Sequence, residues 1–480
     1  MSNSTKRFAV IGGGIAGLAA AWRLARQADV EVVLFESSDR AGGVLETIYD
    51  QGYLIEQSAD NFATLIPDAL EFCRELNYES QLIRPNINDR RAFVMSRGRI
   101  LPIPLGFSLM QPTRFRSMLA TQTLSWRGKL RVAGEFFVAA RKEAGDESLK
   151  AFAIRRLGRE AYENLVEPIV SGIFTADPST LSMQATMPQF LAMEQKSGGL
   201  IRGHLDGRRS QAKKIAGRAS GARYDQFMAP AIGMSHWVQH IVNALPADCV
   251  KTNCSVRRLR RIEGAAGSGS RWEIETSQKR SEQFDGVVIS LPAARTAELL
   301  SESCPVVSSL IGGIPYASSA VVIKIVDKAD LKGRVDGFGL IVPRKEGRST
   351  LAISYSSNKY AGRAPDDQLL LRIFLGGALA PEVVDHTDAQ LHAIADRELR
   401  EMLGWTGAKP HWQSVVRWKH AMPQYLLGHQ DRLQQIDQQL AATENLHVCG
   451  AAYRGVGIPQ CIRGARAAAQ SLLGAVESTT

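Results

Sequence analysis

The turn near the start of the chain limits the fold more than any other feature. Phe8 to Ile11 is a short apolar run, and Gly12, Gly14 and Gly17 come next in the pattern Gly-x-Gly-x-x-Gly. Leu18 to Arg26 then has helical periodicity, and Val30 to Phe35 is a second apolar run. The order reads as strand, turn, helix and strand, a β-α-β start. The first glycine permits a tight turn, the second lets backbone approach a pyrophosphate, and the third lets helix and strand pack closely. Glu36 stands nineteen positions after Gly17, at the end of the second run, where a carboxylate can accept hydrogen bonds from both hydroxyls of a ribose. Together these features predict an ADP-containing dinucleotide held by Gly12, Gly13, Gly14, Ile15, Ala16, Gly17, Glu36 and Ser37.

A chain of 480 residues has room for two or three domains and a large core. At 45% hydrophobic and 22% charged residues it reads as globular, not as disordered, collagen-like or coiled-coil. The formal charge of +10 admits nucleic acid, an anionic membrane surface or an acidic small molecule as partner. The six cysteines form no Cys-x-x-Cys pair, so neither a zinc site nor a redox dithiol is expected, and reduced thiols suit a cytoplasmic protein. None of the nine histidines is spaced with Cys, Asp or Glu as a metal ligand or triad member, so no metal is expected. The apolar run after Lys6 and Arg7 continues as a glycine-patterned unit, which argues against a cleaved signal. No uncharged apolar stretch reaches the roughly 18 residues of a spanning helix.

Further along, helical spacing covers residues 67–76, 114–141 and 149–170, and residues 91–104 are strand-like. Residues 196–223 combine six glycines with eight Lys and Arg and are expected to be a solvated loop. No aromatic residues interleave those charges, so the segment does not suit base stacking and nucleic acid is not expected. A helix is expected at 235–245. Strands are expected at 271–276, 284–291, 320–326, 339–342, 351–355 and 370–375, a helix at 389–403, and a strand, glycine turn and helix at 446–476.

The choice between NAD and FAD rests on the residues just after Glu36. Ser38-Asp39-Arg40-Ala41-Gly42-Gly43 resembles the Arg-x-Gly-Gly element of flavin amine oxidases, in which an Arg beside two glycines gives a charge-assisted phosphate contact. The resemblance extends the cofactor contacts to Arg40, Gly42, Gly43, Val44, Ser58, Ala59, Asp60 and Asn61. Asn253 to Val256 resembles the strand whose Val256 backbone holds adenine. In Leu446 to Ile462, a helix N-terminus near Gly450, Ala451, Val456, Gly457 and Ile458 would stabilise negative charge on the reduced ring. FAD is the expected cofactor.

Three strings make the resemblance more specific. Val166-Glu167-Pro168-Ile169-Val170-Ser171-Gly172-Ile173-Phe174, Arg417-Trp418 with Ala421-Met422-Pro423-Gln424-Tyr425, and Gly455-Val456-Gly457-Ile458-Pro459 resemble the protoporphyrinogen and coproporphyrinogen oxidase family, in matching order over nearly the whole chain. Two places depart from its pattern: Gln57-Ser58-Ala59-Asp60-Asn61 stands where relatives have Gly-Pro, and Ile232-Gly233-Met234 replaces Gly-Gly-Met. The resemblance implies an α/β fold, in which a Rossmann-like FAD-binding domain of amine-oxidase type is split into residues 1–85, 225–305 and 425–480. It further implies a helical insertion at 86–224 and an α+β substrate domain at 306–424.

It also implies an enzyme of heme biosynthesis that acts on CH–CH groups. A porphyrinogen would lose six electrons in three hydride transfers to flavin N5, with O2 reoxidising FAD to give H2O2 and no side-chain acid or base required. Gly172, with Ile173 and Phe174, would border the macrocycle, Trp418 would touch the flavin, and Arg91 or Arg97 would bind propionate. Coproporphyrinogen is slightly preferred over protoporphyrinogen, because a basic chain suits a four-carboxylate substrate. The resemblance leaves open a monomer or homodimer, hand-over to a ferrochelatase, and a cytoplasmic enzyme either free or peripheral on the inner membrane. Residues 106–110 and 115–126 combine apolar side chains, Trp126 and Arg in a way suited to an interface. A flavin amine oxidase or carotenoid-type desaturase on the same fold is the alternative, although an amine oxidase would need an acidic or aromatic pocket for its cation.

Overall fold

The computed structural model describes residues 5–87, 91–143, 145–214, 226–263 and 270–477. The chain divides into two units: Met1–Ile83, Gln226–Pro315 and Asp431–Thr480 form the first, and Arg84–Asp225 and Tyr316–Gln430 the second.

The first unit is built on a five-stranded parallel sheet. Its order runs from Val250–Lys251 through Val30–Phe35, Lys6–Ile11 and Gly286–Ile289 to Leu446–Val448. Phe8, Ala9, Val10 and Ile11 are all buried, as expected of a parallel strand covered on both faces. Helix Ile15–Ala25 packs on the final helix, Ile458–Glu477. Both helices bring small residues to the core they share, Ala19, Ala20 and Ala21 from one and Ala465, Ala468 and Ala469 from the other, and small residues let helix backbones approach. A three-stranded antiparallel sheet, Val256–Glu263, Ser270–Thr276 and Ser281–Phe284, sets Phe284 edge-on to Phe35 at 5.9 Å.

The second unit carries a seven-stranded sheet in the order Trp412–Pro423, Tyr316–Asp327, Gln368–Gly376, Thr350–Tyr355, Gly339–Ile341, Ala92–Ser96, Arg99–Pro102. All neighbours are antiparallel except Gly339–Ile341 with Ala92–Ser96. Helix Asp388–Leu403 buries Leu391, Ala395 and Leu399 against Ala320, Val322 and Leu371 of this sheet. A second core gathers Phe107, Met110, Phe152, Leu165, Val170 and Phe190 from the segment between the two outer strands and the first unit's return. The helical region expected at 86–224 and the α+β region expected at 306–424 are therefore one unit, because strands Ala92–Ser96 and Arg99–Pro102 complete the sheet.

One expectation is overturned. Residues 200–214 of the supposed basic loop 196–223 are a helix, Leu200–Lys214, coming after helix Pro188–Ser197; residues 215–225 lie outside the described residues. Two glycines of this stretch, Gly199 and Gly203, serve close packing. A Cβ on Gly203 would come within 2.1 Å of Met193 Cγ, and one on Gly199 within 2.9 Å of Glu135 Oε1. Gly198 ends the preceding helix at φ +78, a left-handed C-terminus that suits glycine. The new helix is started from a distance: Glu135 Oε1 and Oε2 accept from the Leu200 and Ile201 N–H groups at 2.7 and 3.0 Å.

Glu135 and its partner Arg156 are both fully buried, and Arg156 also reaches Glu194 at 3.2 Å. A buried guanidinium stripped of its carboxylate is strongly unfavourable, whereas an apolar pair of similar volume is tolerated. Glu135→Gln is therefore expected to destabilise the protein by about 3–5 kcal/mol. The double variant Glu135→Leu/Arg156→Met should recover part of that loss in urea unfolding, the remainder reflecting the Leu200 and Ile201 N–H groups left without their acceptor. Equal stability of Glu135→Gln and the parent would show the pair to be dispensable.

Candidate dinucleotide site

The geometry of the first unit grows out of the turn after its first strand. Gly12 adopts φ +104, and a Cβ there would lie 2.6 Å from the Ser290 carbonyl oxygen. At Gly17 a Cβ would come within 1.8 Å of the Gly12 carbonyl oxygen, so only glycine lets helix Ile15–Ala25 start against the strand. Gly14 is different: a Cβ added to it meets nothing within 4 Å. Open space thus lies beside the backbone at the helix N-terminus, where unpaired N–H groups and the helix dipole favour an anion.

Glu36 is buried at the end of Val30–Phe35. Its Oε2 accepts the Gly13 N–H at 2.7 Å, and Oε1 accepts the Ser38 N–H at 2.8 Å, the Ser38 hydroxyl at 2.6 Å and the Ser37 hydroxyl at 3.3 Å. Burial works to raise this carboxyl, but the donors from Ser38, Gly13 and Ser37 outweigh it and hold it below its ordinary value. Asn253 and Cys254 lie alongside, their N–H groups donating to the Ser38 and Glu36 carbonyls at 2.8 Å each. Val256 begins the next strand, so the adenine-side segment expected from the sequence does meet the acidic residue.

The second glycine turn stacks on the first. Gly42 N–H donates to the Gly13 carbonyl at 2.8 Å, Gly14 and Gly42 form a parallel bridge, and a Cβ on Gly43 would sit 3.2 Å from Gly14 Cα. Arg40 does not reach into open space: its guanidinium donates to the Leu45 and Gly43 carbonyls at 3.0 Å each and pairs with Glu46 at 3.1 Å, closing the turn. Val44 is exposed beside it, and the Ser58 hydroxyl donates to the Val44 carbonyl at 2.5 Å. Ala59, Asp60 and Asn61 continue this stretch, with Asn61 Nδ2 donating to Asp60 Oδ1 at 2.7 Å. At the other end of the unit, Gly450 (φ +116) and Gly455 (φ +134) shape the loop from Cys449 through Ala451 and Val456 to Gly457, and the final helix opens at Ile458.

Sequence reasoning missed two contributors. Ser38, a serine two residues past the acid, supplies two of the donors to Glu36. Glu56, the acid that ends the apolar run Tyr53-Leu54-Ile55, is buried and accepts the Met234 N–H at 3.0 Å and the Thr47 hydroxyl at 2.8 Å, starting helix Met234–Ala244. A lone carboxylate at the end of an apolar strand is the signal for such a role. Gly233, which follows Ile232 where this chain departs from Gly-Gly-Met, adopts φ +96, and a Cβ on it would collide with the Thr47 side chain.

The remaining expected residues lie in the second unit. Gly172, in helix Glu167–Phe174, is exposed, and a Cβ on it meets nothing within 4 Å. Ile173 is 44% exposed and Phe174 half-buried; Gln424 Nε2 donates to the Phe174 carbonyl at 3.1 Å, and Ala378 N–H to the Thr175 carbonyl at 2.8 Å. Trp418 is half-buried on Trp412–Pro423, opposite Ser319. Arg91 is exposed with Asp336 at 3.7 Å. Arg97 occupies the hairpin turn at φ +52, its N–H donating to Glu346 Oε1 at 2.8 Å.

A parallel sheet with this turn, the acid at the second strand end and the stacked Arg-x-Gly-Gly turn defines a dinucleotide-binding protein of the flavoprotein class. The sequence matches the flavin containing amine oxidoreductase family over residues 15–473, and the chain belongs to that family, whose cofactor is FAD. It is 30% identical over 479 residues to a coproporphyrinogen III oxidase of Bacillus subtilis, covering 98% of this chain and 99% of that protein. A chloroplastic protoporphyrinogen oxidase of Nicotiana tabacum is 28% identical over 481 residues, covering 97% of this chain and 85% of that one. A crystal structure from Exiguobacterium sp. 255-15, provisionally named protoporphyrinogen oxidase, superposes with a TM-score of 0.83 at 27% identity, covering 99% of both chains. Putrescine oxidase, at 15% identity and a TM-score of 0.67, shares the fold.

The residues fit FAD: Gly14 leaves clearance beside the backbone at the helix N-terminus, where a pyrophosphate would lie, and the Glu36 carboxyl, held below its ordinary value, stands at the strand end where a ribose would lie. Gly14 has φ −67 and ψ 174, which alanine adopts without strain. Gly14→Ala should therefore keep the apo protein's stability within about 0.5 kcal/mol while removing FAD from the purified protein. Gly17→Ala, driven into backbone, should lower stability itself by about 1–3 kcal/mol. Flavin absorbance and melting temperature measured on both variants separate the two roles; full FAD content in Gly14→Ala would place the pyrophosphate elsewhere.

Because the folded Glu36 carboxyl sits below its unfolded value, its stabilising effect is complete above the ordinary carboxylate range and is lost as pH falls through the lowered value. Glu36→Gln turns an amide against the Gly13 or Ser38 donors. The variant should melt on the order of 5 °C lower at pH 7. That gap should narrow toward pH 3, and a gap independent of pH would mean that the carboxylate charge is not what holds the turn.

Proposed function

We propose that the chain oxidises a porphyrinogen to the porphyrin in heme biosynthesis, with coproporphyrinogen III the preferred substrate and coproporphyrin III the product. The observation that carries the reading is the Gly172–Ile173 pair at the end of a largely buried helix, exposed, apolar at Ile173 and without a side chain at Gly172, where a macrocycle can rest against backbone. Full-length similarity to proteins named coproporphyrinogen III oxidase supports the choice of substrate.

When bound, FAD supplies the electron-accepting chemistry, taking two electrons per step from the substrate and passing them to O2 as H2O2. Three such steps remove six hydrogens from the porphyrinogen and convert three O2 to three H2O2. What the protein's own residues contribute is position. Gly12, Gly13, Gly14, Gly42 and Gly43 present backbone to the pyrophosphate, Glu36 takes the ribose, and Gly172 and Ile173 carry the macrocycle, with Trp418 proposed beside the flavin. A rigid platform matters because reactants held in register avoid the entropic cost of meeting.

Gln424 holds the end of the Gly172 helix at the Phe174 carbonyl, and Lys345 Nζ donates to Asn164 Oδ1 one turn before its start; Glu346 of the same short turn as Lys345 accepts the Arg97 and Gly98 N–H groups. That link favours Arg97 over Arg91 for a propionate, since Arg91 already faces Asp336.

The test is aerobic incubation of the purified flavoprotein with coproporphyrinogen III and, separately, protoporphyrinogen IX, reading porphyrin fluorescence and peroxide. Both signals should rise together, faster with coproporphyrinogen, and Gly172→Leu should lower kcat/KM at least about tenfold with an unchanged melting temperature. Fluorescence no faster than autoxidation with either substrate refutes the reading.

A further inference from the structure

The helix that carries Gly172, Glu167–Phe174, is bracketed by two departures from regular geometry. Immediately before it, Tyr162–Val166 makes one π-helical turn, a wide turn that changes the phase of the residues after it and is met mostly at functional sites. Immediately after it, Thr175 adopts φ +48 and ψ +32, left-handed backbone that a β-branched residue rarely takes. Strain of that kind persists only where neighbours enforce it. Ala378 N–H donates to the Thr175 carbonyl at 2.8 Å, and Gln424 Nε2 donates to the Phe174 carbonyl at 3.1 Å, so the far end of the helix is pinned.

The near end has a buried carboxyl for its pin. Glu167 is the first residue of the helix, and the short turn Arg344–Glu346 meets it: the Arg344 N–H and guanidinium both act on the carboxyl. The rest of that turn grips its surroundings. Lys345 Nζ donates to Asn164 Oδ1 in the middle of the π-helical turn, and Asn164 Nδ2 donates to the Thr123 carbonyl at 2.5 Å. Glu346 accepts the Arg97 and Gly98 N–H groups at 2.8 and 2.9 Å. A turn anchored at those points is a fixed reference for the helix start, and Glu167 brings the helix to it.

The carboxyl sits among groups of mixed sign. Glu163 and Tyr162 act on it from the π-helical turn, Asp177 from the loop after the helix, and Arg344 from the short turn. Burial pushes it above its ordinary value, Asp177 and Glu163 push the same way, and Arg344 offsets only part of the effect. In its neutral form the group keeps an oxygen for the Arg344 N–H without placing a charge in the interior. Once ionised it is drawn toward water, since a buried charge costs far more than a buried dipole.

We propose that Glu167 is a positioning residue: by accepting the Arg344 N–H from its buried site it sets the start of the helix against the Arg344–Glu346 turn, and with the far end pinned this holds Ser171, Gly172 and Ile173 in register. The proposal rests on the reading that Gly172 and Ile173 carry the porphyrinogen. Glu167 acts through that helix and not on the substrate. Its loss misplaces the macrocycle relative to the electron acceptor, and an error of about 1 Å in such a reaction costs on the order of a hundredfold in rate.

The experiment compares the FAD-loaded parent with Glu167→Gln and Glu167→Ala across about pH 5 to 9, reading porphyrin formation, hydrogen exchange of peptides within residues 162–176, and melting temperature. Gln keeps an acceptor oxygen, so Glu167→Gln should stay within about twofold of the parent in kcat/KM, whereas Glu167→Ala should lose at least about tenfold, mainly in kcat. The parent's exchange protection, corrected for the intrinsic rate, should fall as pH rises through the raised carboxyl value, because the folded state then carries a charge it disfavours. Its melting temperature relative to Glu167→Gln should fall over the same range, and protection in Glu167→Gln should lack that trend. Parental kcat/KM in Glu167→Ala, or one and the same pH trend in Glu167→Gln and the parent, overturns the proposal. Where Glu167→Ala does not fold, the comparison of Glu167→Gln with the parent decides. A parent that forms no porphyrin overturns the function proposed above, while the exchange comparison, which needs no substrate, decides on its own whether Glu167 sets the helix.

Discussion

The carboxylate of Glu36 is the knot on which the first unit is tied. Two stretches end at it, the glycine turn after the first strand and the serines after the second, and the segment before Val256 meets the backbone carbonyl of the same residue. Each is a loop, and a loop holds a ligand in register only if something fixes it. Parallel strands supply part of that order, because their C-terminal ends share one edge. The rest comes from an ionised oxygen pair that accepts several protein donors at once, which charge-assisted bonds in a buried setting do well. The acid proposed to take the ribose is thus also an organiser of the turn proposed to meet the pyrophosphate.

Much of this is legible in the sequence, because spacing and chemistry agree there. A strand can be read from Phe8 to Ile11 and an anion site from Gly12 to Gly17, since each glycine has a distinct steric task, and the structure assigns those tasks residue by residue: contact at Gly12 and Gly17, clearance at Gly14. The same reasoning fails at residues 200–214. There glycine and basic residues suggest a solvated loop, but Gly199 and Gly203 are small because Glu135 and Met193 press against them. Local composition cannot distinguish a glycine that frees the chain from one that makes room for a neighbour distant in sequence. Arg40 carries a task that its neighbours in sequence do not announce: its place beside two glycines suggests phosphate, and its guanidinium also donates to carbonyls of its own turn.

The Gly172 helix shows a further limit of the sequence. Its string of residues carries the family resemblance, but what holds it in place comes from elements far along the chain, Gln424 and the short turn of Lys345 and Glu346. None of these has a spacing signature, since a side chain that supports a backbone carbonyl from another element needs only to arrive there. The strand Trp412–Pro423 likewise has no clear signal in the sequence, because its residues are mostly half-buried on a sheet edge, without the clean alternation of a two-faced strand.

The acids also explain why the surface is more basic than the composition alone suggests. Repeatedly a carboxylate is spent on backbone N–H groups at a turn or a helix start: Glu36 at Gly13, Glu56 at Met234, Glu135 at Leu200 and Ile201, Glu160 at Ser125, Glu346 at Arg97 and Gly98. Seven Asp and Glu side chains are buried, against four Lys and Arg, among the described residues. Removing more acid than base from the surface leaves an outward balance more positive than +10. The effect is strongest where a stretch has no acid to begin with. Between Arg114 and Gly134 the chain has no carboxylate, the flanking Glu135 and Glu160 are turned inward to start helices, and the exposed Arg114, Arg116 and Arg127 have no carboxylate within 4.0 Å among the described residues. The device that fixes the fold in that region therefore also sets the sign of its surface.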